Sequence, residues 1–473
     1  MKLKLVEKPT VEVRGDEALF IFPSRPYWFA ASADAVDIVS LFNTDVESSE
    51  AVCRLAERWE AETSEVQEAF QDIVDLLIEN GVLLVDGEFR LEATATLTPH
   101  HQVSEAERVL IIATTRGCNL TCSHCHANAK KPMRDELDTC EIKDIVDQVA
   151  KMSWDKKVTH IALTGGEIFQ RPDAVELIRY VHESGFHAFV NTNATLLTSE
   201  IIEQLGTIQG LKVSVSLDGA DAETHEFIRG PGTFDITISV IKSLVEKGVS
   251  VAANMFVHGG NLSKVGDTLE LARSIGMQGF NCLPLMRVGR ANSRRSKQIL
   301  TRVSEVELYR ILFDLLRDSP EYRSLMKRST FVNQIMGVAG GVKSHYCGVG
   351  TNRALYVVSN GNLYPCPDTE AKQFLLGNLR DDNLSEIWEG HPILEKLRSL
   401  DVDNMNPTCA TCDVRYQCGG NCRGEHFQVT GNITGPHFNC KEIRASIVEM
   451  MWMLVEEPTF FKEAVDSLYE NAS

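Results

Sequence analysis

The chain has 473 residues, of which 43% are hydrophobic and 24% are charged, a globular balance with room for two to four domains. Its formal net charge of −19 argues against a nucleic-acid or anionic-membrane partner, since both are bound by basic patches. The sequence has neither a long apolar run nor the features of a signal peptide at its start, so we expect no membrane span and a cytoplasmic location.

Residues 1–95 predict a small winged-helix-like α+β module. Its patterns, in chain order, are strands at Lys4–Val13 and Ala18–Phe22, helices at Ala33–Leu41, Ser48–Trp59 and Ser64–Asn80, and strands at Val82–Val85 and Phe89–Leu91. The third helix is acidic, which argues against a DNA-recognition helix. Residues 96–106 are polar and aperiodic and predict a linker.

Residues 107–300 alternate between apolar strand patterns and helical patterns. The predicted strands are Arg108–Thr115, Thr159–Thr164, Ala188–Asn193, Lys212–Leu217, Ser250–Val257 and Phe280–Leu285. Helices between successive strands indicate a parallel sheet, either open or closed into a barrel. In a barrel, the chemistry lies at the carboxyl ends of the strands.

The remaining residues divide into three segments. Residues 301–345 predict a helical bridge, and residues 441–473 predict a helical tail. Residues 346–440 are short of helical pattern and rich in Cys, Gly, Asn and Pro. We therefore expect bound metal to supply much of the core of this segment.

Ten of the thirteen cysteines fall within residues 118–125 and 347–440, which in a large chain of this kind indicates metal sites. The first group is Cys118, Cys122 and Cys125, spaced C-x3-C-x2-C in the loop after the first barrel strand. Three thiolates hold three irons of a [4Fe–4S] cube and leave the fourth iron open to a small chelating molecule. A zinc site using His124 or His126 is the alternative, but zinc sites usually show paired C-x2-C units.

This loop resembles that of the radical SAM superfamily. The resemblance implies a partial (β/α)6 TIM-like barrel in which S-adenosylmethionine occupies the open iron and is cleaved to a 5'-deoxyadenosyl radical. Gly165, Gly166 and Glu167 then match the family's GGE motif, whose carboxylate suits the methionine ammonium. Four later residues are implied as further cofactor contacts by their positions at or after strand ends: Asn193, Ser216, Asp218 and Arg229. For Arg229, an ordinary surface or helix-end arginine is the alternative.

The second cysteine group resembles the SPASM domain, which holds two auxiliary [4Fe–4S] clusters, so three clusters are implied in all. The resemblance assigns Cys347, Cys366 and Cys422 to the first auxiliary cluster, and it assigns the second to Cys409, Cys412, Cys418 and Cys440. Some relatives have an eighth cysteine where this chain has Gly341, so His345, water or a substrate thiolate would complete the first cluster. Zinc remains the alternative at the C-x2-C pair. Some relatives also have a catalytic Asp directly after the position of Cys366, whereas here Pro367 intervenes before Asp368.

The N-terminal module resembles the leader-recognition domain of peptide-modifying enzymes, which is related to the pyrroloquinoline quinone chaperone and adds a leader peptide as an extra strand. Together these resemblances imply a maturase that modifies a ribosomally synthesised precursor peptide, most simply by forming intrapeptide Cys thioethers. They also imply an electron donor such as a flavodoxin or ferredoxin. The alternatives are a protein-maturing enzyme, performing sulfatase-type oxidation or C–C crosslinking, and a non-catalytic Fe–S leader-binding scaffold.

Overall fold

The computed structural model describes residues 1–89, 108–152, 158–340, 343 and 353–458. The predicted linker at 96–106 lies outside the described residues, as do Gly341, His345, Cys347 and residues 459–473 of the predicted tail.

The described N-terminal residues form two small antiparallel sheets and three helices. The strands are β1 Lys2–Leu5, β2 Thr10–Arg14, β3 Glu17–Phe22, β4 Tyr27–Ser32, β5 Val46–Glu47 and β6 Leu83–Val85, and the helices are α1 Ala35–Leu41, α2 Ser48–Trp59 and α3 Thr63–Glu79. One sheet has the order β5-β1-β6 and the other β2-β3-β4. The predicted single strand Lys4–Val13 is wrong, because the chain leaves the first sheet before Pro9, which has no N–H to donate, and enters the second at Thr10.

Strand β3 joins the N-terminal module to the rest of the chain because both of its faces are buried. Phe20 stacks on Phe29 at 4.7 Å within the module's own core. On the opposite face, Leu19 and Ile21 belong to the large central core. Trp28 of β4 adds a hydrogen bond from its indole N–H to the carbonyl of Val338 at 3.0 Å. The module is therefore packed onto the body as a layer of the fold.

Six parallel strands form the centre of the molecule. They are β7 Arg108–Thr115, β8 Val158–Gly165, β9 His187–Thr192, β10 Lys212–Ser216, β11 Ser250–Val257 and β12 Gly279–Pro284. Each strand pairs in parallel with its sequence neighbours. The connecting helices are α4 Thr139–Ala150, α5 Ala174–Glu183, α6 Ser199–Gly206, α7 Ala222–Arg229, α8 Phe234–Glu246 and α9 Val265–Ser274. The predicted α/β fold with a partial (β/α)6 barrel is confirmed.

The later residues extend the same sheet. The strands are β13 Ala354–Val357, β14 Asn362–Tyr364 and β15 Gly377–Asn378, and β13 pairs in parallel with β7 to give the nine-stranded order β12-β11-β10-β9-β8-β7-β13-β14-β15. The sequence analysis missed this extension because β13 is short and follows a long helical stretch. The carboxyl ends of β7 and β13 therefore lie side by side, which brings the second cysteine-rich segment to the edge of the barrel.

Ten more helices lie in the later part of the described chain. They are α10 Arg294–Ile299, α11 Glu305–Asp318, α12 Glu321–Met326, α13 Thr330–Ala339, α14 Leu384–Gly390, α15 Pro392–Arg398, α16 Pro407–Ala410, α17 Arg415–Cys418, α18 Arg423–Thr430 and α19 Cys440–Glu456. The expectation that residues 346–440 contain little helix and depend on metal for their core is wrong in part, because Trp388 and Leu394 are buried in the central core. No helix within the described ranges is long and apolar enough to cross a membrane.

Candidate active site

The loop after β7 carries Cys118, Cys122 and Cys125, and main-chain contacts hold it in place. The Lys130 amide donates to the carbonyl of Arg116 at 3.0 Å. The guanidinium of Arg290 donates to the carbonyl of Cys122 at 2.7 Å. Two amides of the loop also donate to sulfur: Leu120 to Cys118 Sγ and Ala129 to Cys125 Sγ, each at 3.4 Å. These contacts preorganise the three thiols, and N–H groups directed at sulfur are a recognised influence on cluster potential.

All three thiols line one cavity of about 350 Å³. Burial raises the pKa of Cys118 to about 11, and burial also raises the pKa of Cys122. The metal-free thiols of Cys118 and Cys122 are therefore protonated at neutral pH, and loading of a cluster must release their protons.

The carboxyl ends of the central strands line the rest of this cavity, as the barrel prediction required. Its other walls are formed by Thr164, Gly165, Gly166, Asn191, Thr192, Asn193, Ser216, Arg229, Asn254, Phe256, Tyr356, Pro367 and the segment His124–Ala127. The predicted residues Gly165, Gly166, Asn193, Ser216 and Arg229 thus share one cavity with the three thiols. Asn193 Nδ2 lies 3.9 Å from Cys118 Sγ, so the end of β9 touches the cysteine loop.

The two glycines after β8 are needed for close packing against the cysteine loop. A Cβ on Gly166 would lie 2.0 Å from the carbonyl oxygen of Gly117, and one on Gly165 would lie 2.3 Å from that of Thr115. Gly165 also has φ +134°, a conformation that other residues rarely adopt. Glycine at both positions lets β8 approach the loop backbone directly.

Glu167 does not line the cavity, which corrects the prediction that its carboxylate faces a ligand. It is 1% exposed, and its carboxylate accepts hydrogen bonds from the Thr192 hydroxyl at 2.7 Å and from the Asn193 amide at 2.7 Å. It also accepts from the amide of Phe169 at 3.2 Å. The carboxylate therefore ties the end of β8 to the end of β9, and the two glycines of this turn, Gly165 and Gly166, line the cavity instead.

Asp218 also lies behind the cavity wall, and it holds Arg229 in place. Its carboxylate accepts from Arg229 Nε at 2.6 Å and from the Phe256 amide at 2.9 Å. Burial alone would lower the pKa of Arg229, but the neighbouring Asp218 carboxylate raises it instead, so the guanidinium stays charged. Nη2 of Arg229 is buried without a hydrogen-bond partner. Arg229 is therefore not a surface residue, although it does stand at the end of α7, and its free Nη2 donor fits an acidic ligand group such as a carboxylate.

One contact at the mouth of the cavity was not found in the sequence. The imidazole of His126, which follows the last cysteine of the loop, forms an ion pair with the carboxylate of Asp368. Asp368 also accepts a hydrogen bond from Cys422 Sγ at 3.4 Å. This carboxylate therefore joins the radical-SAM-like loop to the second cysteine-rich segment. No local pattern relates His126 to Asp368 across more than 240 residues, and only β13 packing against β7 brings them together.

The second cysteine group divides between two places. Cys409, Cys412, Cys418 and Cys440 line one cavity of about 430 Å³, which is where four ligands of one cluster should lie. Burial, reinforced by the neighbouring thiols, raises the pKa of Cys418 to about 12. Thr10 and Pro23 of the N-terminal module also line this cavity.

The other described cysteines of this group are Cys366 and Cys422. Cys422 precedes α18, which packs on the short turn Pro367–Thr369 that Cys366 begins, since a Cβ on Gly424 would lie 2.2 Å from the Cβ of Asp368. Cys347, the third residue assigned to this cluster, lies outside the described residues.

The spacing of the thiols fits clusters better than single ions. In the part of the chain that the structure describes, no three His, Cys, Asp or Glu side chains converge closely enough to share one metal ion. Zinc requires ligands about 2.0–2.3 Å from one centre, whereas a four-iron cube spaces its thiolates around a larger volume. Cysteines that line cavities of several hundred Å³ match the second arrangement.

The strand ends of a partial barrel face three cysteines on one loop, and four further cysteines line a second cavity. This arrangement is typical of an iron–sulfur protein built on a barrel. A model described as the radical SAM superfamily matches residues 112–272, and the SPASM model, described as an iron–sulfur cluster-binding domain, matches residues 347–413. The AdoMet-dependent heme synthase of Methanosarcina barkeri is 32% identical over 350 residues, covering 70% of this chain and 95% of that protein. The chain belongs to the radical SAM superfamily, which uses S-adenosylmethionine with [4Fe–4S] clusters.

Two further similarities concern the rest of the chain. The mycofactocin maturase MftC of Mycobacterium tuberculosis is 28% identical over 330 residues, covering 69% of this chain and 81% of that protein. The structure of Streptococcus suis SuiB bound to precursor peptide SuiA matches with a TM-score of 0.57 at 15% identity, covering 92% of this chain and 98% of that chain. Because the match covers 92% of this chain, it cannot leave out the whole N-terminal module, and SuiB therefore shares at least part of that module's fold.

Proposed function

We propose that this protein is a radical SAM maturase that acts on a ribosomally synthesised precursor peptide and forms thioether crosslinks from its cysteines. Peptide modification is supported by the similarity to MftC and by the fold shared with SuiB, whose structure holds a precursor peptide. The observation that carries the proposal is the N-terminal module, because its β2-β3-β4 sheet has two edge strands and is packed onto the catalytic body. An edge strand offers a row of main-chain groups that an extended leader can pair with.

Some residues of the cavity would hold the cofactors, and others position the residues that do so. Cys118, Cys122 and Cys125 would hold the cluster, and Arg229 Nη2 with the backbone of Gly165 and Gly166 would orient S-adenosylmethionine. When bound, S-adenosylmethionine and the cluster would supply the radical that abstracts a hydrogen atom from the peptide. Two auxiliary clusters, giving three in total, would accept the electron released when a cysteine sulfur joins the resulting carbon.

Hydrogen exchange of the full-length enzyme tests the leader-binding step without a deletion that would open the central core. Adding a synthetic leader peptide should slow exchange of main-chain amides in either β2 or β4, since only these strands have an unpaired edge within that sheet. A core-only peptide without the leader is the control and should leave both strands unchanged. Equal protection by both peptides, or none by either, would contradict leader recognition.

The crosslink itself is tested by mass spectrometry of the treated precursor. Each thioether removes two hydrogen atoms and one alkylatable thiol from the peptide. A precursor with Ser in place of Cys should be unmodified. Modification of that peptide would instead support C–C crosslinking or oxidation of another side chain.

A second candidate is a role in heme synthesis, because a heme synthase is 32% identical over 95% of its own length. That relative covers 70% of this chain, so the rest of the chain has no counterpart in it. Incubation of the reduced enzyme with S-adenosylmethionine and an iron-porphyrin precursor, followed by measurement of heme, separates the two candidates. Heme formation without peptide modification would reject the maturase proposal.

A further inference from the structure

A groove of about 560 Å³ lies on the outer side of the cysteine loop, and Arg229 lies between it and the cavity that the cysteines line, since it lines both. It is lined by residues of the loop itself, of α7 and its C-terminal end, and of α10 and the turn before it. Thr121 and Ser123, which flank Cys122, belong to its lining. The groove therefore reaches the backbone between two of the three cysteines that would hold the radical-generating cluster.

Helix α10 is bound directly to this loop. The hydroxyl of Ser296 is buried and donates to the carbonyl of Ser123 at 2.7 Å. Arg290, which precedes the helix, donates to the carbonyl of Cys122 at 2.7 Å and to that of Ala129 at 2.5 Å. The walls of the groove and the cluster loop thus form one rigid unit.

The rim of the groove is cationic, although the chain as a whole has a net charge of −19. Two exposed cations, Lys130 and Arg295, line the groove. Four more exposed cations lie near them in the sequence, on the loop's C-terminal flank and on α10: Lys131, Arg134, Arg294 and Lys297. Within the described ranges none of their side chains forms an ion pair, whereas cations elsewhere on the surface, such as Arg54 with Glu50, are commonly paired. The carboxylate of Glu226, which also lines the groove, accepts from the Phe234 amide at 3.1 Å and so caps the start of α8.

Two large apolar side chains accompany these charges. Phe227 is 58% exposed and Ile299 is 47% exposed, and both line the groove. An apolar centre with a charged rim is the usual composition of a protein-docking surface. An unpaired cationic rim on an acidic protein selects an acidic partner and speeds its approach.

We propose that this groove is the docking surface for an acidic, low-potential electron-carrier protein that reduces the cluster held by Cys118, Cys122 and Cys125. The carrier loses one electron and the cluster gains it, so no other reactant is needed. The inference rests on the radical SAM chemistry of the cluster and is independent of which substrate the enzyme modifies.

Charge reversal tests the docking surface in the holoenzyme, with an acidic flavodoxin as the probe. The test variant is Arg294→Glu, Arg295→Glu and Lys297→Glu. The control is Lys8→Glu, Arg328→Glu and Lys396→Glu, which makes the same change in net charge at exposed positions outside both α10 and the cysteine loop. At low ionic strength the test variant should bind oxidised flavodoxin roughly tenfold or more weakly, and the control should change by less than about threefold.

Electron delivery gives a second measurement. Reduction of the cluster by reduced flavodoxin should slow by a similar factor in the test variant only, while reduction by photoexcited deazaflavin, a small reductant that needs no docking, should be unchanged. Equal flavodoxin affinity in both triple variants, or slower reduction of the test variant by both reductants, would overturn the proposal. Deoxyadenosine release with deazaflavin reports the radical function by itself, so failure of the docking surface is distinguishable from failure of the proposed maturase activity.

Discussion

The Asp218 carboxylate accepts a 2.6 Å hydrogen bond from Nε of Arg229, with the two side chains only 0% and 9% exposed. Because Asp218 takes up Nε, and because it accepts the Phe256 amide as well, the guanidinium has a single orientation. In that orientation Nη1 lies 3.9 Å from Cys122 Sγ, and Nη2 is buried without a hydrogen-bond partner. The pair converts an arginine at the end of α7 into a fixed cationic donor at the cofactor cavity.

Replacing Arg229 by Lys should therefore weaken S-adenosylmethionine binding by about tenfold, because a lysine cannot keep the bond to Asp218 and offer a second fixed donor. Equilibrium dialysis with the reconstituted enzyme measures the affinity, and iron analysis confirms that the cluster is retained. Arg294→Lys, at an exposed position, is the matched control. An unchanged affinity for Arg229→Lys would show that Nη2 faces no ligand group.

Glu167 offers a sharper distinction between the sequence interpretation and the structure. Its carboxylate accepts three protein hydrogen bonds, so Glu167→Gln should lower the free energy of unfolding by about 1–2 kcal/mol through a poorly matched buried acceptor. The affinity for S-adenosylmethionine should change by less than about threefold, whereas loss of a carboxylate–ammonium contact would cost about tenfold or more. Thermal melting and dialysis measure the two quantities on the same sample. A large loss of affinity without loss of stability would restore the original prediction.

The three loop cysteines should be separable from the auxiliary sites. Changing Cys118, Cys122 and Cys125 together to Ala should abolish S-adenosylmethionine cleavage and leave roughly eight of about twelve irons, because each cube contains four. Iron analysis and deoxyadenosine measurement check the two parts. Cys53→Ala with Cys140→Ala is the control, since both thiols are exposed and lie outside the cysteine-lined cavities. If the triple variant kept all of its iron, the assignment of these cysteines would be wrong.

The contact between the N-terminal module and the cysteine-rich segment should depend on pH through Asp413. Burial alone would raise the pKa of Asp413, but the Arg444 guanidinium, which donates to it at 2.7 Å and also pairs with Glu12, holds that pKa below its usual value of 3.8. A depressed carboxyl pKa stabilises the folded state above the unfolded value and loses that contribution as pH falls through the folded one. Asp413→Asn should therefore lower the free energy of unfolding at pH 7 by about 1–3 kcal/mol, and the difference from the unmodified protein should shrink below about pH 4.

Thermal melting of Asp413→Asn and the unmodified protein across this pH range measures the difference in their stability. Asp72→Asn is the control, because Asp72 is exposed on α3 and forms no ion pair with any other described residue. A constant difference between Asp413→Asn and the unmodified protein at every pH would contradict the linkage.

The sequence by itself determined the elements and the metal chemistry of this protein. The strand Ser250–Val257 and the helix Ser48–Trp59 were predicted with their observed ends, because hydrophobic periodicity is a local property of the sequence. The C-x3-C-x2-C spacing identified the cluster loop for the same reason, since its ligands lie within eight residues of one another.

Only the tertiary structure decided which side of the cavity wall each polar residue occupies. Glu167 and Asp218 are turned away from the cavity although both lie just after strand ends, whereas Arg229, at the end of α7, faces it. The difference arises because a buried carboxylate must find donors, and the available donors are main-chain amides of the next strand along the sheet. The pairing of β13 with β7, which places Asp368 beside His126, likewise depends on contacts across more than 240 residues that no local pattern records.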